Sequence, residues 1–140
     1  MKKGVMLSIV GRQNYVGQEP ETIELVTEGT LELTDTGWII AYEESDLTGM
    51  QGVMTTFQLE SSKLILTRSG KLNSQMVFQE GFRHESLYQM EFGAIMICVC
   101  ARSIRVALSE DGGTVDLSYA IEIEQTETGV IDYHLDIRTQ

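Results

Sequence analysis

The stretch TVDLSYAIEIEQTETGVIDYHLDIR, residues 114–138, decides the fold class. In its first half Val115, Leu117, Tyr119, Ile121 and Ile123 oppose Asp116, Ser118, Glu122 and Glu124. In its second half Ile131, Tyr133, Leu135 and Ile137 oppose Asp132, His134, Asp136 and Arg138. Successive side chains of a strand point to opposite faces, so sustained alternation describes two half-buried strands, with TETG supplying the turn between them. His134 falls on the wet face of this hairpin.

The same reading extends outward. In TIELVTEGTLELT, residues 22–34, Ile23, Leu25, Leu31 and Leu33 hold one parity and Glu24, Glu28 and Glu32 the other. Turn signals recur as TDTG before Trp38, EESDLTG before Met50, ESSK before Leu64, RSGKLN before Met76 and SEDGG before Thr114. The runs between them predict strands at 3–14, 22–34, 37–44, 50–59, 63–68, 73–79, 86–92, 94–104, 114–124 and 130–138. No segment carries a convincing helical period. A meander of this kind has two edges to protect, and closing on itself removes them. The expected architecture is therefore all-β, an antiparallel up-and-down β-barrel of about eight to ten strands, with a two-sheet sandwich as the alternative.

Composition bounds the function. The chain has 140 residues, the size of one ordinary domain, and residues 1–140 are read as a single unit. A net charge of -11 argues against a surface that tracks nucleic acid or anionic lipid. The opening MKKGVMLSIVGRQNY is interrupted by Ser8, Gly11 and Arg12 before a signal-peptide core is complete, and it reads as a strand. No window approaches the ~18 consecutive apolar residues of a spanning helix, and a cytoplasmic location is expected.

Cys98 and Cys100 lie two apart on a strand-like run and point the same way, a spacing that rarely closes a disulfide. His84 and His134 have no ligand spacing to them, so reduced thiols, no metal and no cofactor are expected. GWIIAYEE at 37–44 and AIMICVCA at 94–101 are apolar on both faces. Something must cover their outer side, whether a terminal segment, the long turn or a second subunit, and a homodimer is the expected form.

YEES at 42–45, TGMQGVMTTFQLE, LTRSGKLNSQMVFQEG, LYQMEFG and GTVDLSYAIEIE occur in an order that resembles the YwiB-like family of uncharacterised bacterial proteins. The resemblance covers almost the whole chain. It implies a calycin-like barrel, related in architecture to lipocalins and fatty-acid-binding proteins, and it carries no activity, substrate or catalytic residue. One departure is local: the family tends to place a threonine-proline pair before the glycine at 93, where this chain has Met90, Glu91 and Phe92.

Candidate site residues follow from parity. Arg68 is in step with Leu64 and Leu66, so it is aimed at the core, an expensive place for a charge. Glu44 shares the parity of Trp38, Ile40 and Tyr42 and could pair with it, closing a barrel mouth. Alternatively Arg68 meets the acidic head of a small apolar or amphipathic ligand, with Tyr42, Tyr88 and Tyr119 adding hydroxyls. Arg102, in phase with Met96, Cys98 and Cys100, would add a second cation. Ligand binding is the expected function, and a protein-interaction or structural module with a filled barrel is the alternative. Catalysis is disfavoured, since the nearest thing to a motif is RHES, where His84 beside Glu85 would need a turn conformation to act with Glu43 or Glu44.

Overall fold

The structure, a computed structural model, describes residues 2–44, 51–90, 93–123 and 126–140, and of Tyr88, Met90, Thr126 and Glu127 only the backbone. Ten strands form in chain order: β1 (Lys2–Tyr15), β2 (Glu21–Leu33), β3 (Gly37–Glu43), β4 (Val53–Glu60), β5 (Leu64–Gly70), β6 (Ser74–Phe78), β7 (Arg83–Met90), β8 (Gly93–Ser109), β9 (Gly112–Ile123) and β10 (Thr126–Thr139). The alternation that predicted them is the alternation of their burial. Val53, Thr55, Phe57 and Leu59 are buried along β4, for example, while Met54, Thr56, Gln58 and Glu60 are not.

Neighbours in sequence are neighbours in space, and β1 also pairs with β10. The sheet therefore runs β6-β5-β4-β3-β2-β1-β10-β9-β8-β7 and curls until its two edges meet. The seam between β6 and β7 is sealed sparsely. Asn73 and Gln89 exchange backbone hydrogen bonds of 3.1 and 3.0 Å, the Ser86 hydroxyl donates to the Gln75 carbonyl, and Glu80 bridges to Ala101 in parallel. The result is a nearly closed barrel. Its tight hairpins follow from the turn residues. At SEDGG, Gly112 adopts a φ of 109°, which few other residues tolerate, and this lets β8 turn directly into β9.

Two expectations need correction. RHES is not a turn: it opens β7, and its backbone pairs with β8 from Arg83↔Cys100 onward. In addition β8 continues past residue 104 to Ser109, because a bulge between Ala101 and Ser103 resets its register on β9. Before the bulge Ile97, Val99 and Ala101 face inward; after it Ile104 and Leu108 pack against the core. The turn residues that follow Glu44, together with Glu91, Phe92 and Glu124, lie outside the described residues.

The middle of the barrel is filled by its own side chains. Leu7, Leu31, Ile40, Phe57, Leu64, Leu66, Phe78, Val99, Leu117 and Leu135 are all buried there. Across this core the aromatic rings form a connected belt. Tyr42 stacks on Phe57 at 6.4 Å, Phe57 meets Tyr133 edge-on at 6.4 Å, Tyr133 stacks on Tyr119 at 6.5 Å, and Tyr119 touches Phe78 at 4.5 Å. Above this belt, toward Glu44, lie the residues of the candidate site.

Candidate functional site

Register lays a polar row across the inner wall just above the belt. Tyr42 of β3 pairs with Thr55 of β4, Thr55 with Arg68 of β5, and Arg68 with Ser74 of β6. Thr55, Arg68 and Ser74 are buried, Arg68 to 8% exposure. Two residues beyond Tyr42 on the same parity, Glu44 is likewise 5% exposed, its backbone N–H donating to the Val53 carbonyl at 2.8 Å. Parity therefore placed both Arg68 and Glu44 inside.

Each meets a hydroxyl of another strand: the Thr55 hydroxyl donates to Glu44 Oε2 at 2.5 Å, and Arg68 Nη2 donates to the Tyr133 hydroxyl at 3.3 Å. Among the described residues no donor reaches Glu44 Oε1, which is buried. The Tyr133 ring reaches this position by lying over Gly11, its cross-strand partner, where a Cβ would come within 3.1 Å of the ring.

The electrostatics of the row are set by the low-dielectric surroundings. Burial, then the charge of Glu44, then the neighbouring Tyr133 hold the Tyr42 phenol protonated well above its usual range, against the opposing pull of Arg68. Tyr42 is thus a hydrogen-bond donor in the folded protein.

Two adjacent hollows lie above the row among the described residues. One of about 100 Å³ is walled by Tyr42, Glu44, Arg68 and Tyr133 with Ile9, Gly11, Gln13, Ile23 and Leu25. The other, about 250 Å³, is lined by Ile95, Ile97, Ile121, Ile123 and Ile131 together with Tyr15, Met76 and Tyr119. Both share Gln13, Arg68 and Tyr133, so this trio stands at their junction. A polar neck beside an apolar chamber has the composition of a small-molecule site.

Of the residues selected from sequence, Arg68, Tyr42, Glu44 and Tyr119 come together at this end. Tyr88 sits on β7 opposite Ile95, but its side chain lies outside those described. Arg102 is a correction: it is the extra residue of the β8 bulge, without a register partner on β9, and it is exposed on the outer surface. Its phase with Met96, Cys98 and Cys100 was the outward phase. Sequence reasoning missed Tyr133, Thr55 and the ring of isoleucines as site residues. The signal for Tyr133 was present in its inward parity, but its place beside Arg68 depends on register between distant strands.

Elsewhere, His84 Nε2 contacts Gln79 Oε1 at 2.7 Å, at the end of the barrel opposite Glu44. His134 pairs with Asp116 at 2.5 Å on the outer face. Cys98 and Cys100 are free and half-buried. No group of three metal-ligating side chains occurs among the described residues.

Compared with known proteins, residues 7–137 match the model of a family described as a domain of unknown function, DUF1934. The crystal structure of the ywiB protein from Bacillus subtilis is similar to this chain with a TM-score of 0.82, at 20% sequence identity, covering 96% of this chain and 92% of that one. At that identity the likeness concerns the fold. No curated protein matches the chain.

Proposed function

We propose, from the premise that this chain belongs to the DUF1934 family, that it is a cytoplasmic binding protein, without catalysis, that holds a small apolar or amphipathic molecule in the open end of its barrel. One observation carries the reading. The barrel is packed with side chains through its middle, yet an isoleucine-lined chamber of about 250 Å³ lies directly beside a buried neck containing Arg68 and Tyr133. With its smaller neighbour it approaches the lower end of the ~300–1000 Å³ range of small-molecule sites. Close packing in a purely structural barrel leaves few voids larger than a water molecule among apolar walls.

Isoleucine-methyl NMR during titration with 1-octanol tests this. Ile95, Ile97, Ile121, Ile123 and Ile131 shift, whereas Ile40 and Ile137, buried in the packed middle, do not. Shifts spread equally over both groups, or none, contradict it.

A second reading has its own observation. On the outer face Leu87 and Met96 are cross-strand partners, 44% and 52% exposed, beside a shallow cleft lined by Arg83, Glu85, Cys98 and Glu122. This strip would serve a protein-interaction role, including a homodimer, and sedimentation across a concentration series distinguishes it.

A further inference from the structure

The hollow of about 100 Å³ at the neck is lined by chemically different groups. Among them are the Arg68 guanidinium and the phenols of Tyr42 and Tyr133, Tyr42 being hydrogen-bonded to Glu44. A guanidinium only donates hydrogen bonds, and a phenol held protonated donates as well. Glu44, 5% exposed, lines the same hollow, and its Oε1 is a buried acceptor without a hydrogen-bond partner among the described residues. Thr55 already satisfies Oε2. A buried acceptor left without a donor is costly, so Glu44 Oε1 favours a donor that enters the hollow.

A ligand head entering this hollow must therefore offer that donor. A carboxylate cannot: it is acceptor-only, and it would bring a second negative charge beside Glu44, whose charge Tyr42 already feels. Resting on the ligand-binding reading above, we infer that the site selects a neutral head carrying an N–H or O–H donor next to an oxygen acceptor, as in a carboxamide. The donor bonds to Glu44 Oε1, the acceptor faces Arg68 and Tyr133, and the alkyl body lies among the isoleucines.

Three probes of one chain length separate the possibilities: octanamide, methyl octanoate and octanoate, each titrated into the full chain and followed at the isoleucine methyls. Octanamide, having both donor and acceptor, binds about tenfold tighter than either of the others, the worth of one well-made hydrogen bond. In Glu44→Gln the three affinities converge to within about threefold, because the side chain then offers a donor of its own. Octanoate or methyl octanoate binding as tightly as octanamide to the unaltered chain overturns the head-group inference and leaves the binding reading standing. An octanamide preference that survives Glu44→Gln unchanged also overturns it. Failure of all three to shift any isoleucine methyl overturns both. The comparison in the unaltered chain is decisive even where the variant does not fold.

Discussion

Arg68 is 8% exposed and donates to the Tyr133 hydroxyl. A buried charge held this way contributes little net stability, because desolvation offsets what its contacts return. Arg68→Met is therefore expected to change stability by no more than about 1 kcal/mol, a few degrees in Tm for a chain of this size. A loss of ~3 kcal/mol or more in thermal denaturation would instead assign Arg68 to holding the barrel together. Tyr42 carries a pH signature. Its folded pKa is raised above the ordinary value of 10.0, through burial, Glu44 and Tyr133 and despite Arg68. Below pH ~10 the phenol is protonated folded and unfolded alike, and it adds no pH dependence. Above that, the unfolded chain releases a proton that the folded one keeps, so stability falls as pH rises, by up to about 1.4 kcal/mol per pH unit from this residue. Alkaline denaturation of Tyr42→Phe should lack that part of the slope; identical slopes would contradict the assignment. At this scale the sequence was informative wherever alternation ran unbroken: Arg68, Tyr42 and Glu44 were placed inside by counting from leucines and isoleucines. Arg102 was not, because its run is apolar on both parities and the inward one, Ile97, Val99 and Ala101, could not be told from the other by composition.

Among the elements, β8 and the seam show what periodicity misses. Both halves of β8 alternate, but in opposite phase on either side of the bulge, so the whole reads as a two-faced apolar strand that stops early. Strand existence was legible in all ten runs from their apolar patterning, with turn residues marking most of the breaks between them. Which strands form the edges was not, because that depends on how far the sheet curls. The edges prove to be β6, with five residues, and β7. The described bonds between them are the Asn73–Gln89 backbone pair and the Ser86 contact to Gln75. Segments with few shared hydrogen bonds open first. Native-state hydrogen exchange should therefore find the seam-facing amides of β6 and β7 exchanging well before those of β1 and β10, which pair along residues 5–15 of β1. Uniform protection around the barrel would mean that the seam is as firmly closed as the ladders.

For the whole molecule, the packed middle and open end divide the labour. Aromatic rings and leucines hold the strands, and the row from Tyr42 to Ser74, with Glu44 above it, faces a hollow the core does not fill. A barrel was legible from alternation and consecutive hairpins. The hollow was not, because Ile97 and Val99 of β8 are indistinguishable in sequence, yet one lines the chamber and the other is sealed in the core. Only cross-strand register decides which inward residues sit at the end. The account's central claim is that this end holds a small molecule, and native mass spectrometry on protein purified without denaturant from its source organism tests it most directly. The expected result is a stoichiometric adduct of a few hundred daltons, lost on denaturation and absent or weakened in Arg68→Met. A clean polypeptide mass under every native condition would contradict the claim and turn attention to the outer strip of Leu87 and Met96.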